Sequence, residues 1–445
     1  MAFVGDGALS GGEAFEGLNQ GADVKGSLVL IFNDNQMAIA PDSGGMYAKL
    51  AELRATAGTA DDNIFKSFGW EYLYVADGND MAKCIGALEK ARDMNCPVVV
   101  HINTQKGEGY APAEKEREAF HWRPPFEAES GIDKKSAPEP NYMTLTRDFL
   151  LNKCRTMPNF LVVTAATPAD FGFLAKERME AGAHFIDVGI AEQTAVSVMA
   201  GAARAGAKVV LGITGSFMQR AYDQMIEDWA MNDCPATMLV FGTGVNGIRD
   251  QTHLGFWDIP FVSSMPDVVY LAPMSMEEYM EMLEWSVAQD KHKVAIRVPT
   301  YSVWHHKGAP DKDYSDIDKF KIVEKGTRVA LIGAGDYFPK ALEVAELLKA
   351  EGITPTVINP RFVSGVDTDM LRSLQPDHEV VATIEDGSIE GGFGQRVAGA
   401  LGGTLLKVLN FGLKKEFADR YEVEALETDQ GLLPSQIAAA ILNLI

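Results

Sequence analysis

The sequence predicts an α/β protein in which parallel sheets are covered by crossover helices, and in which three such units follow one another. Short runs rich in β-branched residues, such as 27–33 and 97–103, alternate with longer stretches of helical period. This alternation is typical of strands that are joined by helices into parallel sheets. The chain has 445 residues, of which 47% are hydrophobic, and it can therefore bury several cores.

The first unit is predicted over residues 1–132, as a partial domain followed by a linker. Its polar, proline-containing stretch 107–131 is too long for a simple connection, which predicts a functional loop. A doubly wound domain usually has a fuller sheet, so we expect that an N-terminal part is missing or is supplied by another chain. The strand surfaces at Ala2–Val4 and Leu28–Phe32 are then expected to be covered by a separate N-terminal subunit or by a twofold partner.

The second unit is predicted over 142–302 and the third over 322–445, with a polar linker between them. In the second unit, helical patterns separate six strand candidates, which are 160–166, 185–189, 208–214, 237–242, 268–273 and 294–298. The third unit repeats the same alternation of strands and helices.

The formal net charge of −22 argues against nucleic acids and anionic membranes as partners. No apolar run is long enough to span a membrane, and no signal peptide is evident, so we expect a cytoplasmic protein. The four cysteines form no C-x-x-C pair, which favours reduced core thiols over zinc ligands or disulfides. A phosphorylated substrate would have to be bound by a few local arginines, lysines or backbone amides.

Polar residues follow two of the predicted strands of the first unit. Gly5-Asp6-Gly7-Ala8 comes after the first strand, and Asn33-Asp34-Asn35 ends the next one. Ligands of open α/β sheets bind at such carboxyl strand ends. Mg²⁺ prefers oxygen ligands and commonly keeps phosphate oxygens in its shell, and glycines let such oxygens approach the backbone. The two motifs together predict a site for Mg²⁺ and a diphosphate.

This ordered pair of motifs resembles the thiamine diphosphate signature of the transketolase-type family, and the resemblance is closest to 1-deoxy-D-xylulose-5-phosphate synthases. It implies three-layer parallel-sheet domains, the first one partial, and a transketolase-like C-terminal α/β domain. It also implies that Asp6, Asn35 and the carbonyl of Met37 bind the metal, and that Gly5, Asp6, Gly7 and Ala8 contact the cofactor.

Further segments extend the resemblance along the chain. The segment 101–114 followed by Phe120-His121 is similar to a family segment in which a lysine, here Lys106, approaches the diphosphate and a histidine, here His121, lines the active site. Taken alone, both would be ordinary loop residues. Phe217, in 216–224, corresponds to an aromatic residue that stacks on the aminopyrimidine, although by itself it would be taken for a core residue.

Glu192 opens a helix in the segment 187–193, between two apolar runs. An acidic residue there complements the helix dipole, but an unpaired carboxylate among apolar residues is costly. The resemblance identifies Glu192 as the residue that hydrogen-bonds the aminopyrimidine and thereby promotes removal of the proton from the thiazolium C2.

Four further residues are candidates for the substrate site, and the resemblance assigns the first two of them. His253, in 251–261, would act as a hydrogen-bonding or proton-transfer group. Arg297 corresponds to an arginine that binds the substrate phosphate, and a mid-strand arginine in apolar company needs a partner such as an anion. Arg220 and Arg249 are the other candidate substrate contacts. The C-terminal domain is expected to be structural and to form a dimer.

The chain departs from the family pattern at four positions in the acceptor region. The substituted residues are Thr194 for a histidine, Thr214 for a tyrosine, Gly242 for the second phosphate-binding arginine, and Arg249 for an aspartate. Loss of one such arginine removes contacts worth about 1.5–3 kcal/mol. Arg249 could restore the charge from a neighbouring position, or the acceptor could be a different aldehyde.

Three functions remain open at this point. The first is a synthase-like enzyme that decarboxylates pyruvate on thiamine diphosphate with Mg²⁺ and transfers the two-carbon unit to glyceraldehyde 3-phosphate, feeding isoprenoid and thiamine synthesis. The second is a related carboligase with another donor or acceptor. The third is a split or inactive subunit that needs a separate N-terminal half.

Overall fold

The computed structural model describes residues 1–135, 139–300 and 303–445. The chain forms two compact units. The first consists of residues 1–135 with 164–168 and 187–194, and the second consists of the remaining described residues. The predicted domain boundaries at 132, 142 and 322 stay predictions, and the boundary at 302 lies outside the described residues.

The first unit is built on a parallel four-stranded sheet with the order β1-β2-β4-β3. The strands are β1 (Ala2–Gly5), β2 (Leu28–Asp34), β3 (Glu71–Val75) and β4 (Pro97–Asn103). The helices are α1 (Asp6–Leu9), α2 (Gly12–Gly21), α3 (Gly45–Ala55), α4 (Ile64–Ser67), α5 (Met81–Asp93) and α6 (Ala111–Lys115). β3 was not among the predicted strands, because its five residues lie between turns and only partly alternate in polarity.

The adjacent strands β1 and β2 were both expected to need an outside cover, but they differ in exposure. β2 is already covered by the chain itself, since Val29–Phe32 are at most 9% exposed. That part of the expectation is wrong, because helices of the same unit pack on both faces of β2. β1, by contrast, is an edge strand, and Phe3 on it is 72% exposed.

The second unit contains two more sheets. One has six strands in the order β6-β5-β7-β8-β10-β9, and the other has five in the order β11-β13-β12-β14-β15. The six strands are β5 (Phe160–Thr164), β6 (Phe185–Asp187), β7 (Lys208–Thr214), β8 (Thr237–Phe241), β9 (Val268–Leu271) and β10 (Lys293–Arg297). The five are β11 (Lys321–Glu324), β12 (Arg328–Gly333), β13 (Thr356–Asn359), β14 (His378–Ser388) and β15 (Lys407–Leu413). Only β11 is paired in the antiparallel sense among the strand pairs described in the second unit.

Helices connect these strands, as the alternating pattern predicts. They are α7 (Tyr142–Thr156), α8 (Ala175–Ala181), α9 (Glu192–Arg204), α10 (Tyr222–Gln224), α11 (Asp258–Ser263), α12 (Met276–Ala288), α13 (Phe338–Ala350), α14 (Thr368–Ser373), α15 (Phe393–Ala400), α16 (Val423–Gln430) and α17 (Pro434–Leu442). Short 3₁₀ turns span Pro168–Phe171, Gly182–His184, Met218–Ala221 and Gly335–Tyr337, and a π-helical segment spans Met225–Met231. The predicted α/β class is confirmed, since the first unit contains one parallel sheet and the second unit contains two further sheets that are largely parallel.

Side-chain caps mark the first turn of two of these helices. Asn141 starts α7, where its side chain accepts a hydrogen bond from Thr144 N at 2.9 Å, and Ser275 does the same for Glu278 N in α12. These caps satisfy amides that have no partner within the helix. β10 and the two strands beside it are buried along their whole length, which explains the apolar residues 294–296 between Lys293 and Arg297.

α2 packs closely on the loop before β3. Trp70 is 5% exposed, and its Nε1 donates to Leu18 O at 2.8 Å. A Cβ added at Gly21 would lie 2.4 Å from Trp70 Cζ2, whereas one added at Gly17 of the same helix would meet nothing within 4 Å. The helix therefore approaches the indole only because residue 21 has no side chain.

We expect Gly21→Ala to destabilise the first unit by about 1–3 kcal/mol, because the buried indole has to move. Gly17→Ala is the matched control, and its higher helix propensity should stabilise the unit by up to about 1 kcal/mol. Thermal unfolding of the two variants measures the difference. Equal midpoints would contradict the close packing of α2 on Trp70.

Candidate active site

The first two motifs of the site lie at the ends of adjacent strands. β1 and β2 pair in parallel with Gly5 opposite Asn33, so Asp6 and Asn35 both follow the same edge of the sheet. The expectation that these two strands are neighbours is confirmed. Asp6 opens α1 and is 1% exposed, whereas Asn35 begins the turn after β2.

The carboxylate of Asp6 organises that turn. Its Oδ2 accepts hydrogen bonds from the backbone amides of Asn35 at 2.8 Å and Met37 at 3.2 Å, and also from that of Gln36. The amide oxygen of Asn35 accepts from the same Met37 N–H at 3.2 Å. The three predicted metal ligands therefore surround one turn, with the oxygens of Asp6 and Asn35 directed to a common atom.

Negative charge accumulates around this turn. Burial raises the pKa of Asp6, and the nearby Asp34 carboxylate raises it further. Burial and the charge of Asp6 together raise the pKa of Asp42 to about 7. Sequence reasoning did not single out Asp42, since it lies in an unremarkable loop after the Asn35 turn. A divalent cation at the turn would relieve this repulsion, which fits the oxygen donors present.

Gly7 brings the backbone of α1 close to the same turn. A Cβ at this position would lie 2.7 Å from Ala38 Cβ and 3.3 Å from Ile190 Cδ1. A side chain would therefore push the two segments apart. The amide of Gly7 donates to Asp6 Oδ1 at 3.0 Å. The absence of a side chain at Gly7 therefore lets α1 pack directly on the turn.

Lys106 and His121, from the long loop region, also reach this turn. Lys106 Nζ donates to Ala38 O at 2.8 Å and lies 3.1 Å from His121 Nδ1. Burial lowers the pKa of Lys106. Burial also lowers the pKa of His121, and the neighbouring ammonium lowers it further. His121 is thus kept neutral and accepts a hydrogen bond from Lys106, while that lysine adds positive charge beside the turn.

Glu192 belongs to the same compact unit, through the segment 187–194. It is the first residue of α9 and is 3% exposed, in agreement with the apolar runs around it. The segment before it is ordered by Asp187, whose Oδ1 accepts from Ala166 N at 2.9 Å and from Gly189 N at 3.0 Å. Ile190, two residues before Glu192, is the side chain that lies beside Gly7.

A second buried carboxylate supports the turn from within the sheet. Asp34 is fully buried, forms an ion pair with Arg54 at 2.6 Å and hydrogen-bonds His101 Nε2 at 2.9 Å. His101 Nδ1 in turn lies 2.7 Å from the hydroxyl of Tyr72. Burial raises the pKa of Asp34, but the bonds from His101 and Arg54 outweigh it, and the pKa is lowered. Sequence reasoning missed this network, although a histidine inside an apolar strand is a signal for it.

Phe217 and His253 are brought together in the second unit. Their rings lie 5.3 Å apart, at an angle of 66°. His253 Nδ1 is 2.6 Å from Thr252 Oγ1, and its side chain is 37% exposed. Thr214, which replaces the expected tyrosine, is buried and donates to Asp170 Oδ2 at 2.7 Å. The Thr214 side chain is therefore part of the buried end of β7.

The three candidate substrate arginines occupy different environments. Arg220 is exposed. Arg249 is also exposed, lies 4.0 Å from Glu422, and borders a cavity of about 610 Å³ that Asn246 and the first residues of α16 also line. Arg297 is 3% exposed and forms ion pairs with Asp258 and Asp386. The two carboxylates neutralise Arg297 and occupy its donors, so its contact with a substrate phosphate remains a prediction that this geometry does not favour.

Two further searches cover the described part of the chain. Within residues 1–135, 139–300 and 303–445, no group of three or more His, Cys, Asp or Glu side chains is arranged to hold a metal. The predicted ligand set would not form such a group, because it has one carboxylate, one amide and one carbonyl. Across the same residues, no helix has the length and apolar character needed to cross a membrane.

The chain matches three family models in succession. Residues 1–60 and 55–104 match the 1-deoxy-D-xylulose-5-phosphate synthase model, 142–304 match the transketolase pyrimidine-binding domain, and 318–437 match the transketolase C-terminal domain. Fold and site together define a transketolase-type enzyme, the class that transfers two-carbon units with thiamine diphosphate.

Relatives with known names define the family more closely. The chain is 34% identical to 1-deoxy-D-xylulose-5-phosphate synthase of Natranaerobius thermophilus, over 95% of this chain and 71% of that protein. It is 32% identical to the synthase of Rhodobacter capsulatus, over 89% and 67% of the two chains. The chain belongs to the 1-deoxy-D-xylulose-5-phosphate synthase family.

Solved structures with the same fold are transketolases. A structure described as a split gene transketolase in an inactive beta4 tetramer has a TM-score of 0.58 and 22% identity, and the match covers 67% of this chain and 96% of that one. Transketolase of Campylobacter jejuni has a TM-score of 0.57 and 15% identity, with 99% of this chain and 76% of that one covered. At these low sequence identities, the similarity shows a shared fold and nothing more.

Proposed function

We propose that the chain binds thiamine diphosphate with Mg²⁺, decarboxylates pyruvate and transfers the two-carbon unit to glyceraldehyde 3-phosphate. The product is a sugar phosphate of the kind that feeds isoprenoid and thiamine synthesis. The observation that carries the proposal is that Asp6, Asn35, Met37 and Lys106 gather at one turn, in the same compact unit as the buried Glu192. A cytoplasmic location is proposed as well.

Each group of this site has a defined task in the proposal. Thiamine diphosphate, when bound, would supply a nucleophilic thiazolium carbon and a ring that serves as an electron sink. Asp6, Asn35 and the Met37 carbonyl would hold Mg²⁺, and Lys106 would neutralise part of the diphosphate charge. Glu192 would hydrogen-bond the aminopyrimidine and relay a proton. Phe217 would stack on the aminopyrimidine ring. The neutral His121 can accept a proton near the cofactor, and His253 would hydrogen-bond the substrate.

A related carboligase with a different acceptor is the second candidate. Two observations favour it, namely that Gly242 stands where an arginine is expected and that Arg297 is already paired with two carboxylates. Arg249 is then the exposed guanidinium best suited to an acceptor phosphate, in the cavity beside α16. The identity of the acceptor therefore depends on what Arg249 binds.

The role of Glu192 is tested by Glu192→Gln, with Asp6→Ala as the companion variant. Glu192→Gln should still be stabilised by thiamine diphosphate with Mg²⁺, by about 2.7 kcal/mol at a hundredfold excess over the dissociation constant. Its rate of deuterium exchange at the cofactor C2 should fall roughly 10²–10⁴-fold, because the amide cannot relay the proton. Asp6→Ala should lose the thermal stabilisation itself. Exchange at the wild-type rate in Glu192→Gln would leave Glu192 as a helix-dipole residue only.

The Arg249→Ala variant tests whether the acceptor is glyceraldehyde 3-phosphate or a different aldehyde. If glyceraldehyde 3-phosphate is the acceptor, its KM should rise roughly ten- to a hundredfold, with pyruvate decarboxylation unchanged. Arg420→Ala is the control, since it removes a neighbouring exposed guanidinium whose side chain pairs with Asp419. A panel of phosphorylated and unphosphorylated aldehydes gives the measurement. A wild-type preference for unphosphorylated aldehydes would overturn the synthase assignment and favour the carboligase.

The exposed edge of β1 supports a proposal about assembly. An unpaired edge with a 72% exposed phenylalanine is a surface that soluble proteins usually pair or cover. We therefore propose that another polypeptide pairs along β1, either a second copy of the chain or a separate subunit. A separate subunit at this edge would correspond to the split-subunit alternative.

Static light scattering tests the assembly. The wild-type chain should scatter as two or more copies, and Phe3→Lys should shift it to a smaller mass, because a charge on the edge opposes strand pairing. Met81→Lys is the matched control, since Met81 at the start of α5 is also 72% exposed and does not lie on β1. A single-chain mass for the wild-type protein would contradict pairing with a second copy and leave the separate subunit.

A further inference from the structure

The residues 242–257, which we call the His253 loop, join β8 to α11 and carry both Arg249 and His253. The loop is closed at its base, where Gly244 N donates to Gly255 O at 3.0 Å. Within it, His253 N donates to Asp250 O at 2.8 Å. The position of the His253 side chain therefore depends on how this base is held.

The C-terminal part of the second unit holds the loop along its length. The hydroxyl of Tyr421 donates to Val245 O at 2.9 Å, and Asp419 Oδ1 accepts from Gln251 N at 3.2 Å. In addition, Arg420 N donates to Arg249 O at 2.7 Å, and Ser388 N to Phe256 O at 2.8 Å. All four contacts reach main-chain atoms of the loop.

Arg297 joins the two ends of the loop through two carboxylates. Its Nε donates to Asp258 Oδ2 at 2.7 Å, and Asp258 directly follows the loop. Its Nη1 donates to Asp386, which lies against Gly244 so closely that a Cβ there would be 1.7 Å from Asp386 Oδ2. Arg297, Asp258 and Asp386 are all at most 3% exposed.

These buried charges depend on one another. Without the guanidinium, Asp258 and Asp386 would be two buried carboxylates with no cation to offset them, which is strongly unfavourable. A third acid, Asp336, lies nearby and accepts from Thr300 N at 2.9 Å, and Thr300 Oγ1 donates to Thr243 O at the loop base at 3.2 Å. The cluster thus contains one cation for three acids, and it meets the loop at residues 243 and 244 and, directly after the loop, at residue 258.

We propose that Arg297 is a positioning residue, which, by joining Asp258 and Asp386 across the base of the His253 loop, holds His253 and Arg249 in their working positions. It does not contact the substrate, and the C-terminal domain takes part in shaping the acceptor site. The importance of this for catalysis rests on the proposed function, whereas the anchoring of the loop does not.

The decisive variant is Arg297→Met, which removes the charge and keeps the length of the side chain. Hydrogen exchange of the loop amides, including Gly244 and His253, should become about tenfold faster or more, while Ile332 in β12 should exchange as in the wild type. The kcat should fall roughly ten- to a hundredfold for phosphorylated and unphosphorylated aldehydes alike, because a displaced catalytic group affects both. Arg328→Met, at an exposed pair with Glu379, is the control and should change neither readout.

Tyr421→Phe keeps the inference testable if Arg297→Met does not fold. It removes one hydrogen bond to the loop and leaves Arg297 intact, so a smaller acceleration of loop exchange is expected. Unchanged loop exchange in Tyr421→Phe, or a rise only in the KM of phosphorylated aldehydes in Arg297→Met, would overturn the inference. Faster loop exchange in Arg297→Met, combined with a wild-type protein that shows no two-carbon transfer, would instead refute the proposed function and retain the anchoring.

Discussion

The buried carboxylate of Asp6 is the constraint around which the first unit is arranged. It is withdrawn from water at the end of an edge strand, and it needs donors for both oxygens. Its own helix supplies the amide of Gly7, and the turn after β2 supplies the amides of residues 35 to 37. Because that turn is folded around the carboxylate, the ends of two parallel strands become one surface of oxygen atoms.

The rest of the first unit supports this arrangement through charge. The buried carboxylate of Asp34, one residue before Asn35, is bonded to Arg54 and His101. These bonds fix the orientation of the strand end. Lys106 donates to Ala38 O next to the turn, and His121 lies beside the Lys106 ammonium. The second unit uses the same principle, since Arg297 makes it possible for two carboxylates to lie inside the protein. Both units thus use buried ion pairs to fix loops, a role for which geometry matters more than the net energy of the pair.

Local patterns in the sequence predicted the strands well, and long-range partners poorly. β7 was predicted to the residue, and the adjacency of Asp6 and Asn35 followed from the rule that parallel strands end at a common edge. The burial of Glu192 was predicted from its apolar neighbours. The partners of Arg297 were not, because Asp258 and Asp386 lie 39 and 89 residues away and carry no local signal. β3 was missed for a related reason, since its five residues range from exposed to buried and form a strand only by pairing with β4.

The contacts that secure the His253 loop have a consequence for how acceptor preference can change in evolution. Val245, Arg249, Gln251 and Phe256 are held through main-chain atoms, which all amino acids supply except that proline lacks the N–H used at position 251. Side chains at 246, 248 and 249 can therefore be exchanged while the backbone of the loop stays in place. Gly244 and Asp386 are the exception, because they are in steric contact and must vary together. A library that randomises the former positions and preserves this pair explores new aldehydes on an intact scaffold.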